Sequence, residues 1–322
     1  MSTAPGVSRL GIGLAAIGRP AYLTAGRERD LGGHRSVADL RARTLAVLDA
    51  AYDAGIRYLD AARSYGRAEE FLAAWLAAHP DVDDVIVGSK WGYRYVGDWR
   101  MDAAVHEVKD HSPAAFRTQY AQTRAVLGRR LGVYHVHSAT MTSGALDDPV
   151  LHRALADLRD HGVRIGVSTS GPDQADAVRR ALEVVIDGEP LFTSIQSTWN
   201  VLETSAGPAL AEAAAAGARV IVKEVVANGR LAPGGADGTP SERRVAELSQ
   251  QLHIGVDQLA IAAALAQPWA WRVLSGAATS EQLRSNVRAA SVHLPTAVSA
   301  ELATLTEPAT AYWEARSRRS WS

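Results

Sequence analysis

The chain has 322 residues, 47% hydrophobic and 21% charged, which is ordinary globular usage with enough apolar surface for one large core. Its 34 basic and 35 acidic residues leave a formal net charge of −1, so there is no global electrostatic reason to hold nucleic acid or an anionic membrane. With no cysteine, disulfides, thiolate nucleophiles and cysteine-ligated metals are excluded.

The segment Met1–Arg9 is polar and lacks the apolar core of a signal peptide. The longest fully apolar run, Leu259–Ala266, is far short of the roughly 20 residues that span a bilayer. A cytoplasmic protein is expected. In chain order, Arg9–Ile17 is an apolar run holding Gly11 and Gly13. Thr44–Ala54 repeats apolar residues at helical spacing and stops at Gly55. Arg57–Ala61 reads as a strand and Glu69–Ala78 as a helix. Val85–Lys90, β-branched and apolar, reads as a buried strand. Ser112-Pro113 is an N-cap followed by proline at the first helical position, opening a helix to about Arg130.

Val133–His137 is the next strand, with a helix over Pro149–His161. The alternation continues with strand Arg164–Ser168 and helix Asp173–Val185, then strand Thr193–Trp199 and helix Pro208–Ala216. Strand Arg219–Val225 precedes helices over Glu242–Leu252 and Asp257–Ala266. Trp271–Gly276 is the last strand and Ser280–Ala290 the helix after it. Strands apolar on both faces, separated by helices, imply a parallel sheet. Eight such units favour closure into a single α/β barrel of the (β/α)8 TIM type over residues 1–322, with a C-terminal tail from about 291. The rival is an open doubly wound sheet, which normally carries a glycine-rich phosphate loop after its first strand. Here Gly11-Ile12-Gly13 has no third glycine at the right place.

Three segments break the alternation: Trp91–His111, Val226–Ser241, and a tail holding Tyr312, Trp313 and Trp321. The first two follow strands, at the carboxyl-terminal face where barrel enzymes build their sites. The basic cluster Arg316, Arg318 and Arg319 reads as a solvated end. Three successive strands end in ionisable groups, Asp60, Lys90 and His137, and Tyr65 follows closely on Asp60. Each alone reads more readily as a cap, a surface group or packing. Four on adjacent strand ends of a barrel ring one point. A phenol titrates near ~10 and is a proton donor at neutral pH. A neighbouring lysine favours phenolate and strengthens that donor, an aspartate holds the lysine, and a histidine orients a carbonyl or relays the proton. One carboxylate and one imidazole make a poor metal site.

At these residues the sequence resembles the aldo-keto reductase family over nearly its whole length. Asp60-Ala61-Ala62-Arg63-Ser64-Tyr65 resembles the family's Asp-x4-Tyr motif, Gly88-Ser89-Lys90 its lysine strand, and Val133–His137 its histidine strand, with His137 rather than His135 in the site. The resemblance implies a (β/α)8 barrel that binds an extended nicotinamide cofactor, NADPH or alternatively NADH. It further implies that Ser168, Thr169 and Gln196 hold the nicotinamide amide, with Thr169 where the family has Asn. Lys223, Asn228 and Gly229 would cover the nicotinamide and pyrophosphate, Lys223 standing where many members have an aromatic or arginine. Gly276, Thr279, Gln282 and Asn286 would hold the adenosine end, Thr279 standing where many NADPH users have arginine, with Arg284 or Ser280 as substitutes.

The implied activity is reduction of an aldehyde or ketone, or the reverse, on a small-molecule substrate, with Tyr65 as general acid and base. Trp91, Trp99 and Trp199 are expected in the pocket wall, with Tyr93, Tyr312 and Trp313 as further candidates. The alternatives are a cofactor-binding regulatory subunit with little turnover and an NAD-dependent aldose dehydrogenase.

Overall fold

The computed structural model describes residues 6–24 and 27–321. Eight parallel strands close into a barrel in which each strand lies beside its neighbours in the chain. They are β1 (Leu10–Gly13), β2 (Tyr58–Asp60), β3 (Ile86–Trp91), β4 (Leu131–Ala139), β5 (Arg164–Thr169), β6 (Ser194–Thr198), β7 (Arg219–Lys223) and β8 (Ala270–Ser275). Helices pack outside them: α1 (Val37–Asp53), α2 (Ala68–Ala78), α3 (Pro113–Leu127), α4 (Pro149–Asp160), α5 (Gln174–Leu182), α6 (Gly207–Ala215), α7 (Pro240–Gln251), α8 (Val256–Leu265) and α9 (Ser280–Arg288). The tail adds α10 (Thr296–Leu302) and α11 (Ala309–Ser317). The barrel predicted from the alternation is the fold observed.

Local chemistry explains where elements begin. The Ser112 hydroxyl accepts from the Ala115 N–H and opens α3 before Pro113, as its sequence signals. Helix α1 starts a full two turns before the periodic run at Thr44. A reciprocal cap fixes that start: the Ser36 hydroxyl accepts from Asp39 N–H, and the Asp39 carboxylate accepts from Ser36 N–H.

Inside the barrel, Tyr58, Val133, Ile221 and Leu274 form a closed layer with Ile86 and Trp271. Gly88 is required here, because a Cβ would sit 2.5 Å from the Tyr58 hydroxyl oxygen. Side chains alternate along a strand, so the next inward positions above this layer are Asp60 on β2, Lys90 on β3, His135 and His137 on β4, and Lys223 on β7. The sequence thereby stacks an ionisable layer on an apolar one, at the carboxyl ends of the strands.

The long loop after β3 folds into a two-stranded antiparallel ribbon, Tyr93–Tyr95 against Glu107–Lys109. The Asp110 N–H donates to the Gly92 carbonyl at 2.9 Å and ties off its base. The tail lies against the barrel rather than in solvent. Arg316 forks onto Glu224, with Nε 2.9 Å from Oε2, and Arg319 pairs with Asp237. The reading of that basic cluster as a solvated end is corrected for these two arginines, because carboxylates on the β7 loop face them. A short helix Arg27–Leu31 and a small ribbon at residues 185–190 were not expected.

Candidate active site

Asp60 and Lys90 come together as a buried ion pair, with Nζ 2.5 Å from Oδ2 and the side chains 0% and 3% exposed for Lys90 and Asp60. The ammonium also donates to the Ala61 carbonyl at 2.8 Å. The second carboxylate oxygen, Oδ1, accepts from Gln196 Nε2 at 2.9 Å. The pair is therefore hydrogen-bonded on both sides, the condition under which a buried ion pair is tolerated.

The Tyr65 ring lies 4.8 Å from Lys90 Nζ and stands edge-on to the His137 ring at 5.5 Å. The four expected residues are thus brought to one point. Burial, chiefly, together with the Asp60 carboxylate, pushes the Tyr65 phenol well above its ordinary value. The phenolate-favouring effect expected of Lys90 does not prevail over burial. That ammonium is committed to Asp60 and Ala61, and desolvation outweighs it. Burial and the Lys90 charge hold His137 far below the ordinary imidazole range, so its ring is neutral. His137 Nδ1 lies 3.4 Å from Ser64 Oγ, and the His111 ring bonds the His137 carbonyl at 2.8 Å. His135 lies one layer lower and bonds Ser194 Oγ at 2.9 Å.

The other expected residues divide. Ser168 Oγ accepts from the Ser138 N–H at 2.8 Å, which aligns the ends of β4 and β5. Thr169 is fully buried and its hydroxyl bonds Ser197 at 2.5 Å, so that side chain is engaged within the sheet. Lys223 donates to Thr198 Oγ1 at 2.7 Å, and burial brings its ammonium down to about 8.

Asn228 and Gly229 sit in a turn with φ of 53° and 90°, and Asn228 Nδ2 bonds the Leu23 carbonyl. Arg29 bonds the Pro233 carbonyl at 2.7 Å. The β1 loop thus reaches the β7 loop on the far side of β8. Thr279 caps α9 by accepting from the Gln282 N–H, and Gln282 Oε1 accepts from the Ala278 N–H. Asn286 is spent on structure, accepting from Ser275 Oγ and donating to Asp257.

The aromatic wall is corrected for Trp91 and Trp199, whose side chains are buried. Trp91 is fully buried between His111 and Phe116, with ring separations of 5.8 and 5.1 Å. Strand alternation is the reason: Lys90 points inward, so Trp91 points out to the helices. Trp199 follows inward Thr198 and packs edge-on against Trp269. Trp99 packs on Phe71 of α2, with its indole N–H on the Arg35 carbonyl. Of the further candidates, Tyr312 is buried on Asn200, and Trp313 faces Lys223 and Arg316. Tyr93 stands edge-on to His137 at 5.1 Å. It borders a cavity of about 500 Å³ that is also lined by Met101, His106, Glu107 and Trp321.

Residues 29–307 match the Aldo/keto reductase family. This chain is an aldo-keto reductase. A D-threo-aldose 1-dehydrogenase from a Pseudomonas species is 27% identical to it over 94% of this chain and 97% of its own length. Among solved structures, an aldo-keto reductase of Bacillus halodurans in its holo form superposes with a TM-score of 0.67 at 22% identity, covering 96% of each chain. A glycerol dehydrogenase of Gluconobacter oxydans gives 0.67 at 21% identity, covering 94% of this chain and 93% of its own.

The enzyme is an oxidoreductase acting on carbonyl and alcohol groups, and aldo-keto reductases use nicotinamide cofactors. Residues here fit such a group. Gly276 has open space where a Cβ would stand, the amino end of α9 capped by Thr279 follows it closely in the chain, and the side-chain amide oxygen of Asn228 is buried without a hydrogen-bond partner among the described residues. No helix among the described residues is long and apolar enough to cross a membrane.

Proposed function

We propose that this aldo-keto reductase reduces an aldehyde or ketone, or oxidises the corresponding alcohol, with Tyr65 as the proton donor and acceptor. The observation that supports this most is the meeting of a raised phenol, a buried Lys90–Asp60 pair and a neutral imidazole at one mouth of the barrel. The nicotinamide supplies or takes the hydride. Tyr65 holds its proton at neutral pH and delivers it to the carbonyl oxygen as negative charge develops there. His137, uncharged and steered by Ser64, presents a ring nitrogen that orients the same oxygen without competing as an acid. Lys90 supplies a fixed positive charge near the phenol and stabilises phenolate when the proton leaves. Asp60 keeps Lys90 charged, and Gln196 keeps Asp60 aimed.

For the cofactor, Ser168 and Gln196 would meet the amide, Asn228 and Gly229 the pyrophosphate, and Gly276, Thr279 and Gln282 the adenosine. Lys223 would face the ring from β7. NADPH is the proposed cofactor, with the exposed Arg284 of α9 as partner for its additional phosphate. A second reading, NAD with an aldose as substrate in the oxidative direction, is favoured by the name of the Pseudomonas relative and by the absence of a guanidinium at position 279. A protein consuming a nicotinamide cofactor suits the cytoplasm, where that pool is held.

Tyr65→Phe tests the central assignment. Turnover should fall by at least about 10²-fold, the scale of a lost general acid, while cofactor affinity stays within a few-fold. Parent-like turnover in that variant would end the proposal. Fluorescence titration with NADPH and NADH, followed by aldehyde and aldose panels, separates the two cofactor readings.

A further inference from the structure

The segment after β1 has no regular structure, yet it is seated closely on the turn that carries Tyr65. The Arg67 N–H donates to the Gly18 carbonyl at 2.8 Å. A Cβ on Gly18 would lie 2.3 Å from the Tyr65 carbonyl oxygen, and one on Gly66 would lie 2.5 Å from that of Gly18. Two glycines therefore permit a contact that other residues forbid.

The residue this seam delivers is Arg19, 2% exposed. Its NH1 donates to the Ser64 carbonyl at 2.8 Å and to Glu107 Oε1 at 2.6 Å. Its guanidinium carbon stands 5.3 Å from the Tyr65 ring centre, 5.2 Å from that of Tyr22 and 4.6 Å from that of Trp321. Trp321 stacks in turn on His106 at 4.4 Å. Withdrawing a guanidinium from water is costly, and an ion pair so placed is weak evidence for stability. Its position beside the reacting phenol supplies another reason for it.

We propose that Arg19 is a positioning residue that sets the strength of Tyr65 as an acid, with Glu107 as the opposing charge. This rests on Tyr65 being the proton donor. Among the described residues, the groups that face the phenol are the Asp60–Lys90 pair, uncharged His137, Tyr22, and the Arg19–Glu107 pair. Burial raises the phenol most, Asp60, Tyr22 and Glu107 push it further up, and Arg19 pulls it down. Glu107 sits on the ribbon after β3, and Trp321 covers the other face of Arg19 from the tail. Both border the cavity beside Tyr93, so the charge felt by Tyr65 is tied to the walls of the pocket.

The test uses the full-length enzyme and the pH dependence of kcat for alcohol oxidation, which requires phenolate, between about pH 7 and about pH 9.5. Arg19→Gln should move the rising limb up by about one unit, which reads as a roughly tenfold lower rate at any pH on that limb. Glu107→Gln should move it down, and Arg19→Lys should leave it near the parent. Shifts of the first two variants in the same direction, or no shift in either, would overturn the inference. If Arg19→Gln does not fold, the downward shift in Glu107→Gln decides alone. Tyr65→Phe in the same series separates the two levels. Turnover in that variant sinks the assignment of Tyr65, whereas an inactive Tyr65→Phe with coincident limbs sinks only the role of Arg19.

Discussion

Replacing Lys90 by methionine tests what the buried ion pair is for. Methionine keeps most of the stem's volume, so little cavity is made. The substitution strands Asp60, whose remaining side-chain donor is Gln196 at 2.9 Å, and removes the donor to the Ala61 carbonyl. Breaking one side of a buried pair costs about 3–5 kcal/mol. An abandoned carbonyl adds about 1–3 kcal/mol, less whatever relaxation recovers. A loss of about 4 kcal/mol at neutral pH is the expected outcome, read by urea unfolding followed through tryptophan fluorescence. The double variant Asp60→Asn/Lys90→Met removes both charges and should regain at least about half of that loss, because a neutral replacement of a buried pair is often neutral or stabilising. The single variant's deficit should also shrink in acid, where a proton neutralises the stranded carboxylate. A single-variant loss below about 1 kcal/mol, or a double variant no better than the single, would refute the reasoning that the pair is kept for chemistry at the expense of the fold.

Two further predictions follow from the mouth of the barrel. Burial holds Lys223 at about 8, down from 10.5. Below pH 8 both folded and unfolded chains carry its proton and the penalty stands in full. Between about 8 and 10.5 the unfolded chain binds a proton that the native chain lacks, so stability climbs with pH. Lys223→Met should therefore be more stable than the parent at neutral pH, by up to about 3 kcal/mol, and lose that advantage above pH 8. Parallel stability curves for the two proteins would count against this. Thr279→Arg should raise NADPH affinity relative to NADH by about tenfold through charge-assisted bonds to the added phosphate, at about 1 kcal/mol of stability for the lost α9 cap. An unchanged ratio in paired titrations would place the adenosine end elsewhere.

The barrel and the meeting of Asp60, Tyr65, Lys90 and His137 were legible because both rest on short-range rules. Ser112-Pro113 announces a helix, Gly55 and Gly162 stop helices, and a parallel barrel places successive strand ends side by side. The aromatic wall was misread by treating a loop's composition as its direction. Counting in twos from Lys90 and Thr198 sends Trp91 and Trp199 outward, and that count was available in the sequence. Arg19 was not legible. It lies in an irregular segment, and its burial depends on contacts 45 and 88 residues away, at Ser64 and Glu107. The nearest signal is a pair of glycines, Gly18 and Gly66, in separate loops. Arg316 was misread for a similar reason, since its partner Glu224 lies 92 residues earlier.

The ribbon after β3 is tied off at its base by the Gly92–Asp110 bond and touches the rest of the protein through Tyr93, Glu107 and Lys109 and, at its tip, through Trp99 on Phe71 and Arg35 and His106 on Trp321. It is therefore a cassette. Ribbons transplanted from other members of the family, or randomised between residues 96 and 106 with Trp99 and His106 retained, should leave the scaffold intact if those anchors and Gly92 are kept, making this stretch the natural place to retune which molecules the enzyme accepts.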